Sequence, residues 1–124
     1  MERFDKLIYE MQSHAEEDYP REACGIILKD FTYVRADNLS NTPTLTFELD
    51  PGVLVKYDDQ IWGIFHSHPG SDQPLPSRED KHAAAFAEYK FIVGFGLKYF
   101  IYWYDSKLDA LKFDKFESKH IGND

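Results

Sequence analysis

The sequence predicts an α/β fold, a mixed sheet with helices packed on it in three layers or close to three. Three observations carry that expectation. Phe4, Leu7, Ile8, Met11 and Ala15 recur at the spacing of an amphipathic helix. Residues 23–28 are apolar without alternation, as in a strand buried on both faces. Short strand-like runs then alternate with helical ones along the rest of the chain.

Taken in order, the first helix covers 4–15, and the acidic stretch before Pro20 ends it, because proline biases Tyr19 away from helical angles. The buried strand 23–28 follows. Lys29 and Asp30 read as a hairpin turn, 31–36 as a second strand and 37–43 as a polar loop. Leu45, Thr46, Phe47, Glu48 and Leu49 alternate and predict a third strand. Asp50 followed by Pro51 is a helix start, an N-cap acid with proline at the first helical position. Val53, Leu54 and Tyr57 form its inner face.

Residues 61–65 predict the next strand. Pro69, Gly70, Pro74 and Pro76 make 69–76 a loop. A helix over 77–89 carries Ala83, Ala84, Ala85 and Ala87, small enough to pack close to a sheet. Strands at 91–95 and 99–104, and a last one within 107–116, complete the set. The tail 117–124 is expected to fray.

A length of 124 residues favours one domain spanning 1–124. The net charge of -8 repels nucleic-acid backbones and anionic membranes, so neither is expected as a partner. No apolar run approaches the roughly 18 residues that span a bilayer. The first residues lack the apolar region of a signal peptide, which points to the cytoplasm. The single cysteine, Cys24, cannot form an internal disulfide and reads as a small buried apolar residue. His14, His82 and His120 lie in polar contexts and are expected at the surface.

The chemistry concentrates in His66-Ser67-His68-Pro69 and in Ser77 with Asp80. A strand alternates faces with period two, so His66 and His68 point the same way. A carboxylate returned by the following helix would complete a three-ligand metal site with one open position. Borderline nitrogen and hard oxygen donors suit zinc. Each part also has an ordinary explanation. The histidines could be polar residues at a strand exit, and Ser77 with Asp80 comes close to a helix capping box. Glu22 opens a buried strand, so it is either at the solvent edge or functional, because burying an unpaired carboxylate is costly. The combination is much rarer than any one part.

Over residues 19–28, 47–51 and 63–80 the chain resembles the JAMM (MPN+, or JAB-type) zinc metalloprotease domains, the family of deubiquitinating subunits and their bacterial and viral relatives. Its spelling is most similar to the small prokaryotic and phage tail-assembly branch. The resemblance implies a mixed, mainly antiparallel curved sheet flanked by helices, in a cytidine-deaminase-like arrangement. It implies Zn2+ held by His66, His68 and Asp80, with Glu22 as the base that activates zinc-bound water and Ser77 as a donor to the oxyanion. The implied reaction is hydrolysis of a peptide or isopeptide bond, in a ubiquitin-like tail or a phage tail protein. A viral member would work in the host cytoplasm or the virion.

The family usually has seven residues between the second histidine and the serine; here there are eight, 69–76. The extra residue falls in 70–73 and makes Asp72 a weak competitor for a polar role. Substrate choice is expected from the 37–43 loop, the 69–76 loop and an exposed strand edge. Two alternatives stand beside this reading: a non-enzymatic tail-assembly or scaffold domain of the same fold, and a metallohydrolase of cell-wall peptides.

Overall fold

The computed structural model describes residues 2–69, 89–95 and 98–117. The first helix, α1, spans Glu2–Asp18 and so outlasts the expected stop at Ala15. Pro20 restricts only the residue before it, and Tyr19 N–H still donates to Ala15 C=O at 3.1 Å. Leu7, Ile8, Met11 and Ala15 are buried along one stripe, as their spacing requires.

Six strands form one sheet: β1 (Cys24–Leu28), β2 (Tyr33–Ala36), β3 (Ile61–Ser67), β4 (Lys90–Phe95), β5 (Lys98–Asp105) and β6 (Ala110–Glu117). Their order is β2-β1-β3-β4-β5-β6. Every neighbouring pair is antiparallel except β3 and β4, which are parallel. The mixed, mainly antiparallel α/β architecture expected from the sequence is the one observed. The chain between β3 and β4 includes the expected 69–76 loop and 77–89 helix; apart from Pro69 and Tyr89, these lie outside the described residues.

β1 is buried on both faces because it sits between β2 and β3 and is covered from either side. On one face Ile27, Tyr33, Phe65, Ile92 and Tyr99 pack against the apolar stripe of α1. On the other, Ile26, Ile61, Ile64, Phe91, Val93 and Tyr102 form a second core. Phe47, Leu49, Val53, Leu54 and Tyr57 pack against this second core. Three of these belong to the short helix α2 (Pro51–Lys56) and its C-cap, which begins as expected: Asp50 caps it by accepting from Gly52 N–H at 2.9 Å.

Three local expectations change. The second strand begins at Tyr33, not Phe31, because the turn needs the intervening residues: Leu28 N–H donates to Thr32 C=O, and Phe31 takes a left-handed φ of 67°. Residues 45–49 do not form a strand; a bridge between Asn38 and Leu49 is all the pairing they make. Their backbone groups are taken up by a side chain. Asn38 Nδ2 donates to Thr46 C=O at 3.0 Å, and Asn38 Oδ1 accepts from Glu48 N–H at 3.1 Å. Alternation alone therefore misled, because a strand also needs a neighbour to pair with.

The third change is His14, which is interior rather than exposed, at 4%. It lies one turn beyond Met11, on the margin of the buried stripe, and both ring nitrogens find partners there. Nδ1 is 2.7 Å from the Tyr33 hydroxyl, and Nε2 is 3.2 Å from the Asp18 carboxylate. Gly25 makes room for this contact, since a Cβ there would fall 2.5 Å from the Tyr33 hydroxyl. Among the described residues no helix is long and apolar enough to cross a membrane.

Burial lowers the His14 pKa below its ordinary 6.5, with Asp18 and Glu17 opposing and Arg35 assisting. The unfolded chain therefore binds this proton more readily than the folded one. The stability contributed by neutral His14 is complete above about pH 6.5 and is lost as pH falls towards the lowered value. Urea midpoints measured on acidification should fall more steeply for the native chain than for His14→Gln.

Candidate metal centre

The site is built by the register of β1 against β3. Cys24 pairs with His66, Gly25 with Phe65 and Ile26 with Ile64. Residues opposite one another across antiparallel strands share a face. His66 therefore lies on the face of Cys24 and Ile26, away from α1. Ser67 N–H donates to Ala23 C=O at 2.9 Å and carries the same register onward. Glu22, two residues before Cys24, falls on the face of Cys24 by the alternation of an extended chain. The two histidines and the glutamate thus come to one face at one end of the paired strands.

Glu22 is 3% exposed, His66 2%, and His68 is half-buried. Burial removes the solvent-edge reading of Glu22. Its backbone is held on both sides: Glu22 N–H donates to Pro43 C=O at 2.6 Å, and Asn38 Nδ2 donates to Glu22 C=O at 2.9 Å. The His66 ring stacks on Phe47 with centroids 4.4 Å apart and planes 18° from parallel. That contact restricts rotation of the imidazole about its own axis. His68 N–H donates to Gly94 C=O at 3.1 Å, which anchors the end of β3 to β4.

The His66 and His68 ring centroids lie 6.4 Å apart. Two imidazoles on one tetrahedral zinc, with Zn–N bonds of about 2.0–2.1 Å, would bring the centroids to about 5 Å. The pair therefore suits a zinc ion after a side-chain rotation that closes the rings by about 1 Å. Imidazole nitrogen is the donor chemistry such an ion prefers. Among the described residues no three His, Cys, Asp or Glu side chains gather to hold a metal. The third expected ligand, Asp80, lies outside the described residues, as do Ser77 and Asp72.

Cys24 lies beside this face but has the character of a core residue. It is fully buried, and burial, reinforced by Asp18, Glu22 and Asp37, pushes its thiol up to about 12. Its Sγ faces the carbonyls of Ala36 and Asp37. A thiol so held is a poor nucleophile.

Three residues that shape the site were not singled out in the sequence. Phe47 sits within a stretch that resembled the family, but its stacking on His66 follows only from tertiary packing. Asn38 accepts from Ser40 N–H two residues on, at 3.0 Å, the local pattern of an Asx-turn. That signal was readable; its long-range bonds to Glu22 and Thr46 were not. Ser67 lies between the two histidines and was passed over as a spacer.

Two measurements test this description. Asn38→Ala removes the partner of Glu22 C=O, Thr46 C=O and Glu48 N–H, and should cost at least about 1–3 kcal/mol in urea unfolding. Asn38→Asp, which keeps the acceptor and loses the donors, should not restore it. Cys24 should resist alkylation in the folded protein, and Cys24→Ala should leave any hydrolytic activity in place.

Comparison with known proteins places this chain in a family. The model of prokaryotic homologs of the JAB domain matches residues 5–112. A protein named desampylase, from Haloferax volcanii, is 32% identical over 103 residues, covering 72% of this chain and 73% of its own length. Tail tip assembly protein K of Escherichia phage N15 is 37% identical over 83 residues, covering 61% of this chain. This chain spans about a third of that phage protein, since the match covers 33% of its length. No solved structure matches significantly. With the motif, the sheet and the length of the match in agreement, the chain belongs to the prokaryotic JAB-domain family.

Proposed function

We propose that this chain, read as one domain over 1–124, is a zinc-dependent peptidase or isopeptidase. The observation that carries the reading is the β1–β3 register, which pairs Cys24 with His66, together with the burial of Glu22 two residues before Cys24. Membership of the JAB-domain family and similarity to a desampylase support hydrolysis of the isopeptide type.

His66, His68 and Asp80 are the residues that would hold the ion, two by position on β3 and the third by its place in the motif. Bound there, zinc supplies a Lewis acid that polarises a carbonyl and lowers the pKa of water towards about 7. The remaining chemistry belongs to the chain. Glu22 takes a proton from the attacking water and returns it to the departing amine. Ser77, by the motif, donates a hydrogen bond to the oxygen of the substrate carbonyl as negative charge develops on it.

The substrate proposed is a protein conjugate or peptide presenting a flexible carboxy-terminal tail, of the ubiquitin-like kind or from a virion. The 37–43 loop stands beside Glu22, to which Asn38 and Pro43 are bonded, so the tail would pass over this loop. Similarity to a tail tip assembly protein supports a second reading, in which the same fold serves assembly and is not catalytic. A metallohydrolase of cell-wall peptides differs only in substrate and is separated by the same assay.

Purified protein supplied with zinc should bind about one ion per chain. Glu22→Gln should keep the zinc and lose at least about 100-fold in hydrolysis of a ubiquitin-like protein joined to a lysine side chain. His68→Ala should lose both zinc and activity. Absence of zinc binding overturns the enzyme reading, and a fully active Glu22→Gln overturns Glu22 as the base. A protein that binds zinc, cleaves neither conjugates nor peptidoglycan peptides and assembles with virion proteins supports the second.

A further inference from the structure

We propose that Ser67, the residue between the two histidines, is a positioning residue that holds Glu22 in register with them. In an antiparallel ladder, residues directly opposite in a hydrogen-bonded pair exchange two N–H···O=C bonds. Ala23 and Ser67 are such a pair, yet the ladder of paired backbones stops one residue short of them, at Cys24 and His66. Ser67 N–H donates to Ala23 C=O at 2.9 Å. The reciprocal donor, Ala23 N–H, goes to the Ser67 side chain, Oγ, at 2.8 Å. The two strands have begun to part, and a hydroxyl bridges the parting.

The position of this bond gives it a role beyond packing. On β3 it originates between His66 and His68. On β1 it ends on the amide next to Glu22. It spans 44 residues of sequence and joins the two halves of the site directly. Ala23 is fully buried and Ser67 is 1% exposed, so the amide has no bulk water as an alternative partner. Without the hydroxyl, Ala23 N–H is left unsatisfied in the interior or draws in a water, and either lets the end of β1 move away from β3. Asn38 and Pro43 would still hold the Glu22 backbone, but to the 37–43 loop and not to the histidine strand. Loss of Ser67 should therefore displace the glutamate relative to the histidines while leaving the histidines themselves in place.

The inference rests on Glu22 being the base, and the test separates the two. Ser67→Ala, Ser67→Thr and Glu22→Gln are compared with the native chain. The readouts are zinc stoichiometry, kcat and KM on a ubiquitin-like protein joined to lysine, the pH profile of kcat, and hydrogen exchange at the Ala23 amide without zinc. Ser67→Ala should keep zinc and KM, lose about 10- to 100-fold in kcat and shift the acid limb of the profile. Its Ala23 amide should lose protection. Ser67→Thr, which keeps the hydroxyl, should restore protection, kcat and the limb together.

If Ser67→Ala does not fold, Ser67→Cys, isosteric but a weak acceptor, should show the same signs in smaller measure. Native kcat and pH profile in Ser67→Ala, with Glu22→Gln inactive, overturn the positioning role alone. Parallel loss of zinc and activity that threonine does not restore also overturns it. An active Glu22→Gln overturns the base reading, and the positioning role with it.

Discussion

The pairing of Cys24 with His66 is the constraint on which the rest of this site depends. It sets a sheet register, and a register has no intermediate values: a slip by one residue would turn every side chain of β1 to the other face. With this register Ile26 and Ile64 meet in one core, Ile27 and Phe65 in the other, and Cys24 lies opposite His66. The apolar residues thereby hold the polar ones. Moving Glu22 off the histidine face would expose Ile26 and Ile27 to the wrong layers, which two separate cores resist.

The two faces of the sheet divide the work. α1 seals one face with an apolar stripe and carries a polar cluster, His14 with Tyr33 and Asp18, at its margin. Among the described residues, the other face is covered around the site by an irregular segment. Phe47 and Leu49 pack there, then α2, and Phe47 stacks directly on His66. An irregular cover has to satisfy its own backbone groups, and Asn38 does so by bonding to residues 22, 40, 46 and 48. The same side chain thus organises the loop and holds the carbonyl of Glu22, so loop order and the position of the glutamate are coupled.

Legibility in the sequence followed the range of the interaction. The amphipathic stripe of α1, the doubly buried β1, the Asp50 cap and the common face of His66 and His68 were all readable, because each depends on neighbours within a turn or two. The strand expected at 45–49 and the exposed His14 were misread for the opposite reason. Alternation at 45–49 is real, but among the described residues no strand pairs with it, and Asn38 supplies the bonds instead. His14 looks polar in its local context and becomes interior through a hydroxyl 19 residues away, on Tyr33.

By itself, then, the sequence determined α1, the doubly buried β1, the start of α2 and the family motif that nominates Glu22, His66, His68, Ser77 and Asp80. These rest on backbone periodicity and local capping, which are properties of short stretches. Only the tertiary structure decided that β1 lies between β2 and β3, that Glu22 is buried, that Phe47 stacks on His66 and that Ser67 bridges to Ala23. Those outcomes depend on which distant segments pair and in what register. That choice is made by the joint burial of two apolar cores across the whole sheet, and no local pattern contains it.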